Sequence, residues 1–257
     1  MNMTYFEWEN LSHPKLTELR EEFELEKIVE TGKSEFDKQL LLKEWLHGYI
    51  PQGTPRRDYY NESALEILRD AQAGNPMWCT QFAFAFLQCA QALGWQARKL
   101  SVDFDHKKET EDHHHGVVDI WSNEFKKWYV VDPQNTLHYL KNGIPLNALE
   151  IRNEWITDRA RLITGETNST TQAITFSEDA LGFATPSNYF WIYTSLRNNF
   201  FTRPGLFETE GLLWQDECSK DKIWWRGGGN LGEPYKHRGY DGQFVVTEDS
   251  STMFPIL

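Results

Sequence analysis

The sequence predicts a mixed fold in which helices come first and strands follow, and three observations carry that prediction. Residues up to about 72 hold three stretches of helical spacing, each with its own start and stop signals. Cys79 to Leu93 repeats apolar side chains (Phe82, Ala83, Phe86, Leu87, Ala90 and Leu93) at the i, i+3, i+4 spacing of a further helix. Beyond it, two β-rich runs, Gly116 to Trp121 and Lys127 to Asp132, flank the turn-prone Ser122-Asn123-Glu124 and predict an antiparallel hairpin.

Taken in order, Pro14 to Glu30 is charge-rich, with Leu16, Leu19, Phe23, Leu25 and Ile28 forming a loose apolar stripe that Gly32 punctuates. Ser34 caps the next helix, and Asp37 at the third position suits the positive helix end. Leu41, Leu42, Trp45 and Leu46 make its buried face, Gly48 ends it, and Pro51 to Pro55 reads as a loop. Ser63 followed by Glu66 is a capping box for a short helix carrying Leu65, Leu68 and Ala71. Gly74-Asn75-Pro76 closes that helix, since Gly suits the left-handed position after a helix and Pro cannot continue the ladder. After the Cys79 helix, Gly94 is a stop signal and Trp95 to Val102 reads as a strand. A polar connection from Phe104 to Asp112 then leads to the hairpin. Asn142-Gly143 is another turn, and Pro145 to about Ile156 reads as a helix. From 166 onward, after the polar Glu166 to Thr171, short aromatic runs alternate with Gly and Asn, including Arg226 to Asn230. This predicts an irregular, partly β extension over residues 166–257, packed on a domain of residues 1–165.

The composition is that of a globular chain able to build its core without disulfides or metals: 257 residues, 40% hydrophobic and 25% charged. A net charge of −12 with scattered Lys and Arg argues against nucleic-acid binding, which needs clustered cations. Met1 to Asn10 is polar and acidic, and no stretch approaches the roughly 18 apolar residues of a membrane span. Three cysteines do not make a disulfide framework, and the sequons at Asn61 and Asn168 carry little weight without a leader. The expectation is a cytoplasmic protein with no nucleic-acid or membrane partner. The eleven Trp, ten Tyr and sixteen Phe are dense after Phe183. Such rings either fill a core and an interface or form a stacking wall for a sugar or planar ligand, with Trp191, Trp214, Trp224, Trp225 and Tyr235 as candidates.

Cys79 follows a helix-breaking Gly-Asn-Pro and opens a helix, where unpaired N–H groups and the positive dipole end collect. That placement favours the thiolate and offers donors to an oxyanion. Cys89, in mid-helix, reads as a core residue, and Cys218 lies in the irregular tail. If the hairpin pivots between Asn123 and Glu124, paired numbers sum to 247 and His115 faces Asp132 directly. That Asp would then hold the imidazole as a base for the thiol. A one-residue slip would turn the two to opposite faces. His113 and His115 share a strand face, the start of a metal site, but no further ligand is indicated; the expectation is no metal and no cofactor.

Three blocks resemble the transglutaminase-like superfamily. Trp78 to Arg98 is similar to its nucleophile helix and the Leu-Gly-aromatic-x-Ala-Arg strand entry, His115 to Trp121 to its His strand, and Lys127 to Pro133 to its Trp-containing Asp strand. The likeness covers about residues 34–156 and is nearest the peptide:N-glycanase type, although the CxxC zinc motif of the eukaryotic enzymes is absent. The calcium-binding and β-barrel domains of animal transglutaminases have no counterpart. The resemblance implies an α+β, papain-like core with the nucleophile helix packed on an antiparallel sheet. It also implies Cys79 as nucleophile, His115 as general acid/base, Asp132 as its orienting partner, and Trp78 or Asn75 near the oxyanion. Arg98, Trp121 and Trp128 match scaffold positions. The implied activity is hydrolysis or acyl transfer at an amide, peptide or glycosylamide bond of a peptide, glycopeptide or glycan substrate. Two alternatives stand beside it: a glycan hydrolase using carboxylates such as Asp119 and Glu150, and a binding scaffold without catalysis.

Overall fold

The computed structural model describes residues 6–57, 63–103, 114–158, 162–165, 171–174, 186–203, 210–220, 234–236 and 243–257. The helices among them are α1 (Pro14–Glu22), α2 (Leu25–Val29), α3 (Glu35–Tyr49), α4 (Ala64–Gln72), α5 (Cys79–Ala92), α6 (Ala148–Asp158) and α7 (Ser250–Met253). Thirteen strands lie among the described residues, seven of them joining one sheet. They are β1 (Glu7–Trp8), β2 (Ala97–Asp103), β3 (His115–Ser122), β4 (Lys127–Val131), β5 (Tyr139–Lys141), β6 (Ile144–Pro145), β7 (Leu162–Gly165), β8 (Thr171–Ile174), β9 (Trp191–Ser195), β10 (Arg197–Asn198), β11 (Glu210–Trp214), β12 (Pro234–Lys236) and β13 (Gln243–Thr247). The fold is α+β with a largely antiparallel sheet of order β12-β13-β11-β9-β2-β3-β4, in which only β11 and β13 run parallel.

Local chemistry explains most boundaries. The first predicted helix is two, α1 and α2, because Glu24 takes a left-handed conformation (φ 48°) between them. Ser34 Oγ accepts from Asp37 N at 3.1 Å to start α3, and Ser63 and Glu66 form both halves of the box that starts α4. Gly74 (φ 79°) and Gly94 (φ 85°) adopt the left-handed conformation after α4 and α5. Asn142 and Gly143 are both left-handed, as a two-residue turn between β5 and β6 requires.

Alternate residues of each strand enter different cores. Ala97, Val118, Ile120, Tyr129 and Val131 pack with α1–α5, and α5 is buried along almost its whole length. Leu100, Val102, Val117 and Val130 pack on the opposite face with Tyr139, Leu149, Ile151, Tyr189 and Met253. Four of the seven strands of this sheet (β9, β11, β12 and β13) come from beyond residue 165. That segment is therefore continuous with the sheet of the first 165 residues, through the β2–β9 pairing.

The hairpin register differs from the one expected. Val118 pairs with Val131, Trp121 with Trp128 and Ser122 with Lys127, so paired numbers sum to 249. The loop holds four residues, with Lys126 left-handed at φ 52°, which moves the pivot to between Glu124 and Phe125. A shift of two preserves the side-chain alternation, so His115 and Asp132 keep a common face although they are no longer opposite.

Candidate active site

Cys79 is the first residue of α5, half-buried, with Trp78 as N-cap. Gln81 and Phe82 N–H groups bond Trp78 O, while Trp78 N donates to Gln81 Oε1 at 3.2 Å. The N–H groups of Cys79 and Thr80 precede the intrahelical ladder and have no partner within the helix. Gly116 of β3 lies against this helix end. A Cβ added there would sit 3.3 Å from Thr80 Cα, 3.3 Å from Thr80 N and 3.4 Å from Cys79 C. A glycine inside a strand signals such an approach, and the sequence reading passed over it. Its backbone N–H is on the side of the Cys79 sulfur and favours the thiolate.

Next to that glycine, His115 places Nε2 2.8 Å from Asp132 Oδ2, with both side chains 3% exposed. The ring also interacts with Cys79, each favouring the other's charged form, and because Nε2 faces the carboxylate, Nδ1 is the nitrogen left for sulfur. Asp132 lies just past β4, where its backbone exchanges two hydrogen bonds with Leu137 (2.9 and 3.0 Å). Asn135 donates from its backbone N to Asp132 Oδ1 at 3.1 Å and from Nδ2 to Asp132 Oδ2 at 2.9 Å. Sequence reasoning missed Asn135; the available signal was an Asp-Pro-Gln-Asn run in which the first Asp closes a turn on its own side chain.

The electrostatics follow this chain of contacts. Burial opposes the Cys79 thiolate, but the hydrogen bond and charge of His115, the charge of His114 and the Gly116 N–H outweigh it. Together they bring the thiol from 9.0 down to about 6. Burial likewise opposes the imidazolium, yet Asp132 and then Cys79 raise His115 from 6.5 to about 10. Burial pushes the Asp132 carboxyl up, and His115 followed by Asn135 holds it below its ordinary value. By contrast, burial alone raises the mid-helix Cys89 thiol, and Cys218 is exposed.

The other expected site residues fall elsewhere. Asn75 N donates to Asp70 O in the loop closing α4, and the Trp78 ring is half-exposed beside Cys79. Two expected members of a ligand-stacking wall are corrected. Trp191 has no exposed surface in the middle of the sheet, and Trp214 is buried, with Nε1 3.4 Å from Asp216 Oδ2. Trp224 and Trp225 lie outside the described residues, as does the Tyr235 side chain. The alternative carboxylates are also engaged: Asp119 is fully buried against Arg98 at 2.8 Å, and Glu150 caps Asn147 N at 2.9 Å and pairs with Lys127 at 2.5 Å. A glycan-hydrolysing carboxylate pair therefore finds no support in these two. His113 lies outside the described residues, among which no group of three or more His, Cys, Asp or Glu could hold a metal ion. No helix among them is long and apolar enough to cross a membrane.

No family model matches the chain, and no curated protein matches it. Among solved structures it is similar to a candidate cysteine protease from Cytophaga hutchinsonii, with 16% identity, a TM-score of 0.38, and coverage of 52% of this chain and 41% of that one. It is also similar to LapG of Legionella pneumophila in its EGTA-treated form, with 14% identity, a TM-score of 0.33, and coverage of 66% of this chain and 92% of that one. The chain spans less than half the length of the first of these.

Proposed function

We propose that the chain is a cysteine hydrolase or acyl-transferase acting on an amide, peptide or glycosylamide carbonyl, on a transglutaminase-like core. Cys79 is its nucleophile, His115 its acid and base, and Asp132 the group that orients His115. The observation that carries this reading is the His115 ring set between the Asp132 carboxylate, 2.8 Å away, and a thiol held at about 6 at a helix N-terminus. The Cys79 thiolate attacks the carbonyl carbon, and the electron pair moves to oxygen. The backbone N–H of Cys79 is the donor nearest to hand for that oxyanion. As the C–N bond breaks, the imidazolium gives its proton to the leaving amine and a thioester remains. Water or an amine then attacks the thioester, His115 takes its proton, and the thiolate is restored. Because His115 and Asp132 are buried and Trp78 is half-exposed, the substrate approaches along the Trp78 side of the α5 N-terminus.

Alkylation by iodoacetamide, read by mass spectrometry at pH 6.5, tests the reading without a known substrate. A thiol of pKa about 8.5 is about 1% ionised at that pH, whereas one near 6 is mostly thiolate. The expected result is alkylation of Cys79 well ahead of Cys89 and Cys218, with the preference lost in His115→Ala. Uniform slow alkylation of the wild type would overturn the mechanism.

A further inference from the structure

We propose that Asn135 is a positioning residue of this site, locking the Asp132 carboxylate toward His115 through its side-chain amide. The inference rests on the assignment of Cys79, His115 and Asp132 made above.

Asp132 Oδ2 receives two donors side by side, His115 Nε2 at 2.8 Å and Asn135 Nδ2 at 2.9 Å, and these two nitrogens are 3.3 Å apart. Since an ionised carboxylate only accepts, the Asn135 NH2 must face it, and this sets the amide orientation. Together with the backbone N–H of Asn135 on Oδ1 at 3.1 Å, both carboxylate oxygens are held by one residue. The carboxylate is thereby prevented from rotating away from the ring.

Asn135 is itself fixed from both sides. The preceding carbonyl, Gln134 O, accepts from His47 Nδ1 at 2.7 Å and from Gln52 Nε2 at 2.8 Å. The following carbonyl, Thr136 O, accepts from the buried Lys43 Nζ at 2.8 Å, and Thr136 is left-handed at φ 54°. Lys43 and His47 sit one turn apart on α3, so a helix remote in sequence grips the loop on either side of Asn135. A side chain that merely filled space would need neither the paired amide contacts nor anchored flanks.

The test compares the pH dependence of Cys79 alkylation by iodoacetamide in wild type, Asn135→Ala and Asn135→Leu, with the melting temperature of each. Leu keeps the volume and removes the donor. A carboxylate free to turn from His115 weakens the imidazolium and with it the thiolate. The inflection should then move up by about one unit in both variants, which is about a tenfold slower reaction at pH 5 and under twofold at pH 8. An unchanged inflection in Asn135→Leu would overturn the proposal, and so would loss of the fold in both variants, which would make the residue structural. A wild type without preferential Cys79 alkylation would instead remove the assignment beneath it. A wild-type inflection near 6 that neither variant moves would remove this inference alone.

Discussion

Replacing Gly116 with Ala puts a methyl group where the strand touches the end of α5. Ordinary Cβ contacts lie beyond about 3.4 Å, and here the new atom meets Thr80 Cα and N at 3.3 Å and Cys79 C at 3.4 Å. All three belong to backbone, so none can swing aside by changing rotamer. The helix end and the strand must separate by a few tenths of an ångström, an overpacking strain of about 1–3 kcal/mol. For a chain of this size that corresponds to a melting temperature lower by roughly 2–12 °C. The displacement also lands on the proposed site, because the Gly116 N–H and the charge of the adjacent His115 both favour the thiolate. The alkylation inflection of Cys79 should rise from about 6 toward an ordinary thiol value. Gly48 is the internal control: an added Cβ meets nothing within 4 Å inside α3, so Gly48→Ala should stabilise by about 0.4–1 kcal/mol. Differential scanning calorimetry and alkylation rates across pH check both. A Gly116→Ala protein with wild-type melting and a wild-type inflection would refute the close-approach argument.

Turnover, once a substrate is found, should follow a bell with limbs near 6 and near 10, values that belong to the thiolate–imidazolium pair as a unit, whereas alkylation, which needs no proton donor, should show the lower limb alone. Asp132 has a depressed native value, so its contribution to stability is full above its ordinary 3.8 and is lost as pH falls through the lowered value. Asp132→Asn should therefore flatten that acid limb of a melting-temperature profile. In the scaffold, Arg98→Met leaves Asp119 buried without its partner and should cost about 3–5 kcal/mol in urea unfolding, whereas adding Asp119→Leu should recover most of the loss.

What the sequence disclosed and what it withheld divide along local and non-local lines. Ser34, the Ser63–Glu66 box and Gly74 announce their helix ends because each acts within three or four residues. The common face of His115 and Asp132 was legible because parity survives a two-residue error, whereas the register itself depended on loop length. The aromatic tail reads in the sequence only as a partly β extension, because β9 and β11 are buried strands in mid-sheet whose β2 and β13 neighbours no local rule identifies. Trp191 carries the lesson: a large ring in an irregular run suggested a ligand wall, but its strand pairs with β2 and the ring is covered. Asn135 and Lys43 could not be linked by any local rule, since 93 residues separate Lys43 from the Thr136 carbonyl it holds.

The charges of the site alternate along a line: thiolate, imidazolium, carboxylate. Each buried charge would be expensive alone, and each is compensated by its neighbour together with neutral donors at the two ends. At the sulfur end these are the Gly116 N–H and the start of α5; at the carboxylate end they are the two donors of Asn135. The imidazolium, a donor at both nitrogens, has no neutral acceptor among these contacts and depends on the anions flanking it. This asymmetry explains why the arrangement needs fixed ends more than a fixed middle. A ring between two anchored anions is centred by both, while a ring beside one loose anion follows it away from the sulfur. On the proposed reading, the glycine against α5 and the clamped loop after β4 would serve one purpose, holding the two ends of a thiol–imidazole–carboxylate array whose centre is positioned by attraction.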